Sequence, residues 1–238
     1  MVKKTKEFIV DKSNEFAYAV AEIISSNQAG KAYNPAVFFG KSGVGKTHLV
    51  EFMEEKLIRA GKKVMVITGE KLIAKYIAAL RQNHTDFSTV EFCKQFEGFD
   101  ALIVEDIQYL EGALSTQEMF VIIANHFFEN GKQIVFTMNC KPKKLEVFNE
   151  QLLAKFEFGI HVEIHKPTEL LKKKIVEKFC EEKVWKICEE QKQLLADAYD
   201  TLPGILGTLK QIQFYVEEMN CVPDQELFEK VVRNRKNC

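Results

Sequence analysis

Positive charge is what this chain has least to spare. Its 33 Lys and Arg stand against 34 Asp and Glu, leaving a net charge of −1 over 238 residues. The basic excess expected of a protein that grips a duplex by its phosphates is therefore missing. Within that positive charge arginine is scarce, with only four: Arg59, Arg81, Arg233 and Arg235. No apolar run approaches the length of a membrane span, and Met1-Val2-Lys3-Lys4 leads into no signal-type core. The six cysteines (Cys93, Cys140, Cys180, Cys188, Cys221 and Cys238) form no C-x-x-C pair. That argues against zinc, and their scatter predicts reduced thiols in a cytoplasmic protein. Long linkers, repeats and low-complexity tracts are absent too. Apolar residues make up 46% and charged ones 28%, a balance that excludes wholesale disorder. It suits one α/β domain with a small appendage.

Against these absences stands one dense motif. Residues 36–47 read Ala-Val-Phe-Phe-Gly-Lys-Ser-Gly-Val-Gly-Lys-Thr, an apolar strand running into a G-x-x-x-x-G-K-[ST] loop filled by Gly40, Gly45, Lys46 and Thr47. A triphosphate tail concentrates negative charge in a small volume. Holding it takes inward-pointing backbone N–H groups, and hence glycines (Gly43 is a further one) that tolerate unusual dihedrals. It also takes a cation on a long stem (Lys46), a hydroxyl for Mg²⁺ (Thr47) and a helix N-terminus behind the loop. Leu49, Phe52, Met53 and Leu57 give the following segment, up to Ala60, one apolar helical face. The pattern predicts a nucleoside triphosphate site.

Short apolar runs alternate with helical patterns through the first two thirds of the chain, the mark of a parallel sheet covered on both faces. Strands are expected at Ala36–Phe39, Val64–Thr68, Ala101–Glu105, Gln133–Thr137 and Ile160–Ile164, with helices near Asn14–Ser25, Thr47–Ala60, Lys71–Asn83, Ser88–Phe96 and Thr116–Asn130. After Pro167 the periodicity turns wholly helical: Glu169–Lys183, Glu189–Tyr199, Gly207–Met219 and Asp224–Arg233. Pro167-Thr168 and Pro223-Asp224 read as helix entry signals. The expected organisation is an α/β nucleotide-binding core over 1–166 and a small helical lid over 167–238.

The strand Ala101–Val104 ends in two carboxylates, Glu105 and Asp106. In such sheets ligands sit at the carboxyl ends of strands, so these acids should face the phosphates. One would hold Mg²⁺ through its water shell and the other would orient an attacking water. The next polar strand end is Thr137-Met138-Asn139. Asn139 there either touches the terminal phosphate or is an ordinary turn residue before Pro142.

At this point the chain resembles the AAA+ domain of the bacterial replication initiator DnaA. The resemblance rests on Gly30-Lys31-Ala32-Tyr33-Asn34-Pro35, on the phosphate loop with Thr47-His48-Leu49, and on Asp100 through Leu110 with its Asp106-Ile107-Gln108 block. Glu70-Lys71-Leu72 through Ala79-Leu80-Arg81 resembles the family's helical insertion, and Phe156-Glu157-Phe158-Gly159 its Phe-Glu-Trp-Gly turn. Phe8-Ile9-Val10 with Ser13-Asn14 resembles the segment that packs on adenine. The resemblance implies a P-loop AAA+ core with a five-stranded parallel sheet and a helical lid. It implies ATP or ADP with Mg²⁺ as ligands. Nucleotide contacts would come from Ile9, Val10, Asn14, Gly40, Ser42, Gly43, Val44, Gly45, Lys46, Thr47 and His48. Thr47 and Glu105 would serve the metal, and Asp106, Asn139 and Lys155 catalysis.

The departures matter as much. Lys155 stands where the family has an arginine finger that completes a neighbour's site, and Gln151 matches a second arginine. Pro203 aligns with the lid arginine that reaches the γ-phosphate, and the metal-side acid is Glu105 where the family has Asp. A lysine keeps the charge but loses the planar fork that fits a phosphate, so weak hydrolysis is expected. Among the family's single-strand contacts, basic positions fall on Ala113, Ser115 and Ala78. Ile77, Lys75 and Arg81 remain, the last two reading first as solvated surface charge. The family's N-terminal interaction domain and its duplex-reading helix-turn-helix domain have no counterpart in these residues, so weak or no duplex binding is expected. In extent the chain is similar to Hda, a short relative, but Met1–Glu7 offers no clamp-binding peptide; Met1-Val2-Lys3 reads as a natural start. The resulting expectation is a nucleotide-responsive modulator of replication initiation. Its partners would be a DnaA-type initiator or helicase, with nucleotide-dependent self-association and no membrane. An active helicase-loading or remodelling ATPase, or a filament former on single-stranded DNA, is the alternative.

Overall fold

The computed structural model describes residues 8–26, 33–82, 88–142 and 148–236. Met1–Glu7, Gly30-Lys31-Ala32, Asn83 and Cys238 lie outside them. The chain divides into two compact units. One holds Phe8, Phe16–Lys41 and Lys46–Ile164; the other holds Ile9–Glu15, Ser42–Gly45 and the chain from His165 onward.

The first unit is built on β1 (Ala36–Phe39), β2 (Val64–Thr68), β3 (Ala101–Glu105), β4 (Gln133–Met138) and β5 (Ile160–Glu163). All pairs are parallel, in the order β2-β3-β4-β1-β5. Parallel strands need crossovers. These come from α2 (Lys46–Arg59), α3 (Gly69–Gln82), α4 (Thr89–Lys94), α5 (Leu114–Glu129) and α6 (Glu150–Phe158), with α1 (Glu15–Ser25) ahead of β1. Helices on both faces explain why the central strands are mostly apolar. Val37, Phe38, Leu102, Ile103, Val104, Val135 and Phe136 are all buried. Asn34 sets the start of β1 against β4: its Nδ2 donates to Lys132 O at 2.7 Å and its Oδ1 accepts from Ile134 N at 2.9 Å. The side chain thus extends the strand ladder beyond Ala36.

The second unit contains α7 (Glu169–Glu182), α8 (Glu189–Ala198), α9 (Leu202–Glu218) and α10 (Gln225–Lys236), with no strand among its described residues. They close around Val176, Leu195, Ile205, Leu209, Ile212, Phe228 and Val231. Thr168 caps α7: its hydroxyl accepts from Leu171 N at 3.1 Å and donates to the Asp11 carboxylate.

Two expectations needed correction. Glu150–Phe158 forms a helix where none was expected, capped by Asn149, whose Oδ1 accepts from Gln151 N at 2.9 Å. Phe156–Phe158 is therefore its last turn, and only Gly159 lies outside it. The helix expected from Gly207 begins at Leu202. Pro203 falls in its first turn, where a missing N–H leaves no bond unmade. Gly204 and Gly207 are accepted because neighbours occupy the space of a Cβ. A Cβ there would meet the Tyr199 ring at 2.7 Å and the Arg235 guanidinium at 2.5 Å.

Candidate functional site

The carboxyl ends of β1, β3 and β4 bring most of the predicted residues of the first unit together. Lys46 opens α2 and is buried, with 8% of its surface exposed. Its ammonium donates to the carbonyls of Gly40 at 2.8 Å and Lys41 at 3.1 Å. Burial pulls its pKa down, opposed by the charges of Asp106 and Glu105. Gly40 is tied to the end of β4 by its N–H to Met138 O at 3.2 Å. Thr47 donates its hydroxyl to the Glu105 carboxylate. Burial pushes the Glu105 pKa up, the Thr47 bond opposes this, and nearby Asp106, Glu51 and Glu54 push the same way.

Asp106 is held in an unusual backbone state, φ 51° and ψ 52°, which Asp tolerates better than most residues. Its N–H donates to Thr137 Oγ1 at 3.0 Å, and its Oδ1 accepts from Gln108 Nε2 at 3.2 Å. Its carbonyl accepts from Tyr109 N at 3.1 Å. The same carbonyl lies 2.9 Å from where a Cβ on Gly69 would sit, so only glycine fits at the start of α3. Asn139 is exposed; its backbone N–H donates to Gln108 Oε1 at 3.3 Å. Thr137 and Gln108 were assigned no role from sequence. The Asp106-Ile107-Gln108 block, on which the resemblance rests, is the signal that could have pointed to Gln108. His48 stacks on Phe8 (ring centres 5.2 Å apart, 19° between planes), and Phe8 in turn stacks on Tyr18.

The middle of the phosphate loop belongs to the helical unit. Gly43 and Gly45 have φ of 79° and 110°, the left-handed region that glycine enters freely. A Cβ on Gly43 would meet Thr201 Cβ at 3.0 Å and Pro203 Cδ at 3.2 Å, and Gly43 O accepts from Leu202 N at 3.3 Å. Pro203 thus packs on the loop itself. Ser42 and Val44 complete this segment. Ile9 and Val10 are half-buried in the same unit. Asn14 pins them, its Nδ2 donating to Ile9 O at 3.0 Å and its Oδ1 accepting from Asp11 N at 2.8 Å. Burial opposes ionisation of Asp11, but hydrogen bonds from Ser13 and Thr168 and the Lys174 charge hold its carboxyl below the ordinary range.

Lys155 stands apart. It lies on α6, its ammonium 4.7 Å from the centre of the Phe128 ring. It lines a groove of about 570 Å³ with Pro35, Asn125, Phe128, Gln151 and Phe158. Gly159, just after α6, packs against Pro35 at the start of β1, whereas the phosphate loop follows the end of β1. Four strand residues rise about 13 Å. Lys155 is at the wrong end of the strand to serve its own loop. Lys75, Ile77 and Arg81 are exposed on α3.

The family model of the bacterial DnaA ATPase domain matches residues 3–163. The DnaA protein of Bacteroides fragilis is 31% identical over 237 residues, covering 95% of this chain and 48% of that protein. The chain spans about half the length, or less, of the curated relatives it matches. Domain III of Thermotoga maritima DnaA superposes with a TM-score of 0.86 at 26% identity, covering 95% of this chain and 94% of that one. A replication initiator DnaA bound to AMPPCP and single-stranded DNA superposes at 0.81, also 26% identical, over 97% of this chain and 67% of that one. Parallel five-stranded topology, phosphate loop, paired acids and family match agree: the chain belongs to the bacterial DnaA ATPase-domain family, with its α/β P-loop AAA+ fold.

Proposed function

We propose that this chain binds ATP and ADP with Mg²⁺, cleaves ATP slowly, and modulates replication initiation in the cytoplasm through nucleotide-dependent contacts with an initiator- or helicase-type partner. The observation that carries this reading is the buried Lys46 ammonium, set among loop carbonyls beside Thr47, Glu105 and Asp106. A phosphate offers that ammonium a charged acceptor in place of two neutral ones, and charge-assisted bonds are about twice as strong. Hydroxyl and carboxylate oxygens already in contact suit Mg²⁺, a hard cation that takes one or two carboxylates and fills its shell with phosphates and water. When bound, the ion would neutralise phosphate charge; Thr47 and Glu105 would hold it. Ile9, Val10, Asn14 and His48 would face the base, and the loop residues Gly40 and Ser42–Gly45 the phosphates. The AMPPCP held by a DnaA relative of the same fold supports the assignment.

Slow turnover follows from the cations that are missing. Arginine fingers contribute about 10³–10⁵ in rate where they act, and here Gln151, Lys155 and Pro203 occupy the family's arginine positions. The test is calorimetric titration of ATP into the protein and into Lys46→Ala. Affinity should fall at least about tenfold, or 1.4 kcal/mol, with circular dichroism unchanged; equal affinity in a folded variant would remove the site assignment.

A second reading, an ATPase activated by head-to-tail self-association, is favoured by Lys155. That cation borders a groove beside Phe158, which is 85% exposed, and it can serve only a neighbouring copy. Phosphate release measured across a protein concentration series separates the two. The first reading expects turnover well below about 1 s⁻¹ at every concentration. Rapid, concentration-dependent release, raised further by Lys155→Arg, would put the second reading first.

A further inference from the structure

The turn after β3 holds a carboxamide by hydrogen bonds at both of its ends. Gln108 reaches across two neighbouring strand ends, donating from Nε2 to Asp106 Oδ1 at 3.2 Å and accepting at Oε1 from Asn139 N at 3.3 Å. The amide can sit only one way round. Flipped, its oxygen would face a carboxylate and its NH₂ would face an N–H, so both contacts would become repulsive. Asp106 is meanwhile pinned on its backbone side: its N–H is taken by buried Thr137, its carbonyl touches Gly69, and its φ is 51°. With the backbone fixed, the side chain still has its own rotamers, and the Gln108 bond to Oδ1 is what selects one. Oδ2 is left to meet a ligand.

We infer that Gln108 is a positioning residue for ATP cleavage, aiming the Asp106 carboxylate at the attacking water from the joined ends of β3 and β4; this rests on the reading that the site cleaves ATP. In the step it serves, a water oxygen forms a bond to the γ-phosphorus. The bond from that phosphorus to the β–γ bridging oxygen breaks, and its electron pair leaves with ADP. The water proton passes to Asp106, and the products are ADP and inorganic phosphate. In this role Gln108 contacts neither water nor phosphate. It acts through Asp106, and through Asn139 it ties that carboxylate to the end of β4.

Two substitutions separate positioning from mere support. Gln108→Met keeps the length and loses both hydrogen bonds; Gln108→Glu keeps the length and the acceptor for Asn139 but cannot donate to Asp106. Single-turnover cleavage of Mg-ATP, ATP affinity by calorimetry and the melting midpoint are measured on each. Both variants are expected to lower the cleavage rate constant by about tenfold or more, with affinity and melting midpoint near those of the wild type. Thr137→Val is expected to slow cleavage in the same way and Thr137→Ser to restore it, which keeps the test open if a Gln108 variant fails to fold. Wild-type cleavage by Gln108→Glu would overturn the inference. So would losses of affinity and stability that track the loss of rate. A wild type that binds ATP without cleaving it overturns this inference and leaves nucleotide binding standing. A wild type that binds no nucleotide overturns the proposed function itself.

Discussion

Replacing Gly159 by alanine probes the joint that sets β5 against β1. Its φ of −78° and ψ of 174° are open to any residue, so the demand for glycine comes from space alone. An added Cβ would meet Pro35 O at 2.3 Å, Pro35 Cγ at 2.8 Å and the Pro35 carbonyl carbon at 3.1 Å. The oxygen is backbone and accepts from Ile160 N at 3.0 Å, so it cannot swing aside. Relief requires β5 to move off β1, against a register running from Ala36–Ile160 to Phe39–Glu163. Overpacking of a filled site costs about 1–3 kcal/mol, and weakening one strand hydrogen bond adds about 0.5–1.5 kcal/mol. The expected loss is therefore roughly 2–4 kcal/mol, and at about 2–4 °C per kcal/mol for a chain of this length the melting midpoint should fall by about 5–15 °C. Thermal unfolding followed by circular dichroism reads this directly. Gly98→Ala is the control, because nothing lies within 4 Å of a Cβ there; it should leave stability unchanged or raise it by up to about 1 kcal/mol. A Gly159→Ala protein that melts with the wild type would refute the claim that this contact excludes a side chain.

Because the resemblance places Pro203, which offers no charge, at the lid-arginine position, ATP and ADP should bind with affinities within about tenfold, or 1.4 kcal/mol; a hundredfold calorimetric preference for ATP would overturn that. Burial pushes the Cys93 thiol up to about 11, helped by the Glu97 charge, and the Cys180 thiol up to about 11, partly opposed by Lys192. Cys188, in contrast, is exposed. A thiol reagent at neutral pH should label Cys188 promptly and reach Cys93 and Cys180 only after denaturation. Peptide mass spectrometry checks this, and prompt labelling of Cys180 would contradict the packing of the helical unit.

The parts of this molecule that were legible in its sequence are those whose physics is local. The first three strands have the expected limits, and β4 and β5 differ from expectation by one residue each, because each is built on a short apolar run bounded by polar or turn residues. The phosphate loop reads clearly for the same reason: its glycines, cation and hydroxyl lie within eight residues. Helix α6 was missed although Asn149 caps it. Its buried residues, Leu152 and Phe156, are too few in nine positions to make a periodic face. Gly204 and Gly207 look like breakers until Tyr199 and Arg235 are seen to fill the space above them.

What no reading of one segment could supply is a partnership made by strand order. Thr137 and Asn139 reach Asp106 and Gln108 across 31 residues of chain, and they meet only because β4 lies beside β3. Asn34 likewise serves a strand start about a hundred residues away. Lys155 shows the converse. The resemblance gives it a role at a neighbour's nucleotide, and the sheet puts it at the opposite end of β1 from its own loop, against Phe128. The resemblance assigns that family position to a neighbour's nucleotide, and the topology supplies the physical reason why Lys155 does not serve its own loop. The catalytic contribution proposed for Lys155 would therefore depend on protein concentration, whereas the one proposed for Gln108, anchored within one sheet, would not.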